Sequence, residues 1–110
     1  MKKITLTVQS TNLNWRLGLN TFDSKKYFHH RENVNFILPK INKFSVKTAC
    51  GKSKKKAYDF NGKKISHWIL KNNYHIYKLR KPTKLDFELI NDGQFKTLKF
   101  IKKKPVHNTV

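Results

Sequence analysis

Gly51-Lys52-Ser53, followed by Lys54-Lys55-Lys56, has the residue types that hold phosphate: a glycine for close backbone approach and lysines for charge. The tripeptide matches the end of a nucleotide-binding P-loop. That loop needs another glycine five residues before Gly51, so that consecutive N–H groups curl around the phosphates. Val46 stands at that position, and no helical pattern follows Ser53. The stretch therefore reads as a lysine loop for a different kind of phosphate, with a solvated turn as the plain alternative.

Catalytic chemistry has little to work with. The acids are Asp23, Glu32, Asp59, Asp86, Glu88 and Asp92. Asp86 and Glu88 would share one face of a strand, as metal ligands of a nuclease can. The lysine expected two residues after the second acid is Ile90. His29 and His30 are adjacent, so on an extended chain their rings point apart. His67 and His75 lie about two helical turns apart, provided a helix runs that far. Without a nucleophilic triad or a metal quartet, the chain by itself is read as no enzyme, and neither cofactor nor metal is expected.

Charge dominates the composition. In 110 residues, 25 Lys and Arg face 6 Asp and Glu, a net charge of +19. Such a chain repels itself until a polyanion neutralises it, and nucleic acid is the usual one, an acidic membrane surface the second. Part of the excess follows from a Lys- and Asn-rich composition of the sort AT-rich genomes encode. The hydrophobic fraction of 37% and aromatic fraction of 13% argue for a folded domain with one modest core. The single cysteine, Cys50, permits no disulfide within the chain and fits a reducing cytosol, so a cytoplasmic location is expected. Neither a signal peptide nor a membrane helix is legible.

The elements that must position these residues alternate with a period of two. Ile4, Leu6 and Val8 mark one strand; Trp15, Leu17 and Leu19 a second; Val34, Phe36 and Leu38 a third; Phe44, Val46 and Thr48 a fourth. Ala57 to Phe60 is a short fifth, and Leu85, Phe87 and Leu89 a sixth. Asn91-Asp92-Gly93 predicts a hairpin turn into a seventh, Gln94 to Ile101. The alternation slips between Phe95 and Leu98, which predicts a bulge there. Ile65, Trp68 and Ile69 have helical spacing within Lys64 to Asn73, with Ser66 as a candidate cap. The expectation is a mainly β domain over 1–101: a seven-stranded open pseudobarrel with one or two short helices. Residues 102–110 read as a basic tail or the start of a linker.

This order of elements resembles the B3-type DNA-binding pseudobarrel of plant transcription factors and of recognition domains in bacterial restriction endonucleases. The resemblance covers roughly residues 4 to 101. Leu6 to Leu17 is similar to the family's opening strand, first recognition arm and second strand, and Lys26-Tyr27-Phe28 to the aromatic before its third strand. Phe44 to Phe60 resembles the strand pair around the second arm. Ser66-His67-Trp68-Ile69 resembles the helix start, and Leu85 to Leu89 with Phe95 to Ile101 the closing hairpin. Three positions depart from the family: His67 for glycine, Thr83-Lys84 for Gly-Asp, and Leu19-Asn20 for Ile-Pro.

The resemblance implies two loops that grip the major groove of double-stranded DNA from either side. By position the first is Gln9, Ser10, Thr11, Asn12, Asn14, Trp15 and Arg16; the second is Thr48, Lys52, Ser53, Lys54, Lys55 and Lys56. The chemistry suits the task. Arginine can bond a guanine edge twice, and Asn or Gln an adenine edge. Ser10 and Thr11 can bond phosphates or bases, and the lysines suit phosphates. A catalytic nuclease domain joined to this one, and a monomeric state for the isolated domain, follow as expectations. Plainer readings stand beside these: Trp15 and Trp68 as core residues, the polar residues of 9–14 as turn formers, Cys50 as inert. The alternative function is a small basic RNA-binding or ribosome-associated barrel, with Tyr27, Phe28, Tyr58 and Tyr74 as candidate stacking residues.

Overall fold

The computed structural model describes residues 2–10, 14–29, 31–50 and 58–105, and only the backbone of Thr21, Ala49, Cys50 and Tyr58. The elements are β1 (Lys2–Ser10), β2 (Trp15–Gly18), α1 (Thr21–Tyr27), β3 (Asn33–Ile37), β4 (Phe44–Lys47), β5 (Ala49–Cys50), β6 (Tyr58–Phe60), α2 (Lys63–Lys71), β7 (Lys84–Asn91) and β8 (Lys96–Lys103). They form one sheet in the order β4-β3-β8-β7-β1-β2-β6-β5. Only Thr48 separates β4 from β5, so the two outermost members are halves of one strand. Its first half pairs with β3 and its second with β6. The sheet thus returns to its starting strand as a nearly closed barrel of seven strands, the expected pseudobarrel. The β3–β8 pair is parallel and the others are antiparallel.

The alternation that marks the strands is the inside of the barrel. Ile4, Leu6, Val8, Leu17, Val34, Phe36, Phe60, Leu85, Phe87 and Leu98 are fully buried in one core. Phe36 lies at its centre, with ring centroids 5.1 Å from Phe60, 5.8 Å from Phe44 and 5.9 Å from Phe87. The helix α2 packs against β2 and buries Ile65, Trp68 and Ile69 in this core. Its Trp68 stands 5.1 Å from Phe100 and 5.2 Å from Tyr74, which makes Trp68 a core residue.

Thr48 is where the shared strand changes neighbours. Its side chain is buried; its hydroxyl donates to the His29 carbonyl at 2.6 Å and accepts from the Glu32 N–H at 2.9 Å. Its own N–H donates to the Glu32 carbonyl at 2.8 Å. Valine here would keep the volume and strand two backbone groups, so Thr48→Val is expected to cost about 1–3 kcal/mol in denaturant titration. An unchanged midpoint would show that water replaces both bonds.

Several local expectations are corrected. Ser66 does not cap α2. The N-cap is Gly62, without a side-chain bond, and Ser66 lies a turn inside, where its Oγ accepts the Trp15 N–H at 3.1 Å. The helix stops at Lys71, before Asn73, which takes a left-handed φ of 60°. The bulge is not between Phe95 and Leu98. Asp92 accepts the N–H groups of Gln94 and Phe95 at 2.9 and 2.6 Å, holding Phe95 in the turn. Those two bonds, Phe95's first, lower the Asp92 pKa. The register shifts instead at Asp86 and Phe87, whose partners are Lys102 and Phe100, leaving Ile101 as the extra residue. Strand β8 runs on through Lys103, past the boundary expected at Ile101. The second helix, α1, begins after Asn20, whose Oδ1 accepts the Asp23 N–H at 2.7 Å.

Candidate nucleic-acid interface

Strand directions decide where the two expected loops emerge. Strands β2 and β6 are antiparallel, with Leu17 opposite Phe60 and Gly18 opposite Asp59. The chain enters β2 at Trp15 from one end of this pair and enters β6 at Tyr58 from the other. The two hairpin ends therefore flank the four residues of β2. At ~3.3 Å per residue they stand roughly 13 Å apart along the sheet. Between them lies an outward face, because Leu17 and Phe60 point into the barrel while Gln9, Arg16, Gly18 and Asp59 alternate outward.

On this face Arg16 is held. One of its terminal nitrogens is 2.9 Å from an Asp59 carboxylate oxygen, and its Nε has no hydrogen-bond partner among the described residues. Gln9 lies across Gly18, where a β-carbon would meet its amide at 2.5–2.7 Å. Burial raises the Asp59 pKa, an effect that the Arg16 charge opposes but does not cancel. Trp15 braces the root of the first loop, edge-on to His75 at 5.6 Å and Tyr77 at 6.2 Å. It is half-buried and packs against the core.

The expected site residues thus divide. Gln9 and Arg16 are opposite one another on the outward face at the end of the β1–β2 hairpin, near the exposed Ser10 and Asn14, whereas Trp15 points the other way and packs against the core. Thr48 is enclosed at the strand junction and is not presented. Thr11, Asn12, Lys52, Ser53, Lys54, Lys55 and Lys56 lie outside the described residues, as do the side chains of Cys50 and Tyr58. Of the aromatics proposed for stacking, Phe28 is buried and Tyr74 packs on Trp68 and Phe100. The exposed Phe22, Tyr77 and Phe95 sit on α1, after α2 and in the β7–β8 turn, on separate elements. Asp86 is enclosed, accepting from the Thr5 hydroxyl at 2.8 Å, so it does not stand with Glu88 on an open face.

The acids are largely committed within the fold. Asp23 bonds Asn20, Asp92 closes its turn, and Glu32, Asp59 and Asp86 form the ion pairs found among the described residues, with Lys96, Arg16 and Lys3. A large uncompensated positive charge remains on the surface. No described helix is long and apolar enough to cross a membrane.

Composition did not reveal Asp59 as the partner of Arg16, because only the β2–β6 register joins them. Asp59→Asn removes a negative charge from the face and frees the guanidinium. Under the duplex-binding proposal that follows, affinity for a scrambled DNA duplex is expected to rise about threefold, as befits a partly exposed pair worth ~1 kcal/mol or less. Discrimination between preferred and scrambled duplexes is expected to narrow. Fluorescence anisotropy on both duplexes reads the two effects, and a wider gap would contradict Asp59 as the orienting group.

No protein-family model matches this chain, and no curated protein and no solved structure matches it significantly.

Proposed function

We propose that this chain is a duplex-DNA-binding domain with sequence preference, acting through two hairpin loops that enter the major groove. The observation that carries the reading is the pair of hairpin ends at opposite ends of β2 and β6, with Gln9 and Arg16 on the face between them. Their separation of roughly 13 Å is comparable to the ~12 Å width of the major groove. In this reading Arg16, oriented by Asp59, donates to a guanine edge, and Gln9, Asn12 and Asn14 address adenine edges. Ser10 and Thr11 bond backbone or bases. Lys52, Lys54, Lys55 and Lys56 neutralise phosphates on the other side. The sequence resemblance to B3-type domains supports the same two-sided grip. It also suggests the setting: recognition domain of a restriction endonuclease, with catalysis supplied by a joined nuclease domain.

Competition binding tests the reading. A labelled duplex carrying a preferred site is challenged at moderate salt with unlabelled duplex or single-stranded RNA of equal length. The domain is expected to stay on the duplex against excess RNA. If RNA displaces it as readily as duplex does, the partner is RNA and the two-loop assignment falls.

A further inference from the structure

An open pocket of about 540 Å³ lies on the outside of the barrel where the turn before β7, the start of β7 and the end of β8 converge. Arg80, Lys81, Lys84 and Lys104 line it with Thr7, and no acid does. None of the four cations is in an ion pair among the described residues. We infer that this pocket is a seat for backbone phosphates of duplex DNA, extending the interface beyond the two loops. The inference rests on the duplex-binding reading above.

The seat is built by the fold. The Lys104 N–H donates to the Lys84 carbonyl at 2.8 Å, and the Val8 N–H to the Thr83 carbonyl at 2.9 Å, so three chain segments are tied together. Pro82 and Pro105 line the same pocket, and their fixed φ stiffens the chains that carry the cations. Arg80 is carried into the pocket by a turn. The Lys81 N–H donates to the Lys78 carbonyl at 3.0 Å, closing a turn in which Arg80 has φ 65°. Glycine or asparagine is favoured at that position of a type II turn. An arginine there gives up backbone ease and adds a cation to the pocket.

Location selects the ligand. Thr7 is two residues from Gln9 on the same face of β1, ~7 Å away. It pairs with Lys84 on one side and with Gly18, under the Gln9 side chain, on the other. A duplex seated on Gln9 and Arg16 therefore brings its backbone past Thr7 and Lys84. Contacts of this kind add affinity and salt sensitivity without reading bases.

The test uses the whole chain and two double variants of equal charge change. K84Q/K104Q removes two cations of the seat; K25Q/K26Q removes two from α1, away from it. Affinity for a preferred and a scrambled duplex is measured between about 50 and 200 mM salt. In K84Q/K104Q the slope of log K against log salt is expected to fall by about 2, with equal proportional losses on both duplexes. K25Q/K26Q is expected to keep the wild-type slope. Arg80→Gly, which eases the turn, is expected to weaken duplex binding while its melting temperature holds or rises. Equal slopes in the two double variants would overturn the seat. So would a seat variant that loses binding to vesicles of anionic lipid while keeping its duplex affinity. Wild-type protein without sequence preference would refute the proposed function alone, since the slope comparison still judges the seat.

Discussion

Alanine in place of Arg16 is expected to lower affinity for the preferred duplex roughly 10- to 100-fold, about 1–3 kcal/mol, and affinity for a scrambled duplex only about threefold, the effect of one charge lost from the face. The asymmetry follows from chemistry. A guanidinium that bonds a guanine edge through two N–H groups loses both when truncated, whereas a phosphate contact is lost alike on every sequence. The Asp59 carboxylate, 2.9 Å away, holds the group in one orientation. Because Arg16 is about a third exposed, breaking the pair should cost the fold no more than ~1 kcal/mol. Arg16→Lys supplies the control: it keeps the charge without the planar fork and should also lose discrimination. Equal losses on both duplexes in Arg16→Ala would remove base reading from this residue.

Phe36→Ala is expected to give the largest loss of stability, about 3–5 kcal/mol. Phe36 is fully buried, and its ring touches Phe44 on β4, Phe60 on β6 and Phe87 on β7. Removing it opens a cavity where strands from both sides of the barrel meet. In a domain this size such a loss lowers the melting temperature by about 12 °C or more and takes a large share of the ~5–15 kcal/mol that folded domains possess. Calorimetry or a urea titration measures it. A loss below ~1 kcal/mol would mean that the barrel collapses around the gap and that Phe36 does not organise the core.

The barrel was legible because its strands are buried on one side only. Ile4, Leu6 and Val8, or Leu85 and Phe87, alternate so regularly that their inward face can be read without coordinates. The α1 cap was also written in the chain, as Asn20 with Asp23 at helical reach, yet seven residues of α1 carry too little periodicity to stand out. What stayed hidden depends on pairing between distant segments. Thr48 looks like the end of an alternating run; only the fold makes it the point where one strand leaves β3 for β6. Ser66 has the chemistry of a cap, but the packing of α2 on β2 turns its hydroxyl to Trp15. In the same way, nothing local joins Arg16 to Asp59, or Arg80 to Lys84 and Lys104. The first loop is an expectation placed by the B3 resemblance, and the fold adds to it an outward face with Gln9 and Arg16 and an acid, Asp59, beside the arginine.

The measurement closest to the central claim is selection from a randomised DNA duplex library at moderate salt, with excess single-stranded RNA present. A short enriched motif is expected, in which at least one guanine is required by the wild type and replaced by any base with Arg16→Ala. Recovery of unenriched duplex, with the RNA taking up the protein, would contradict it.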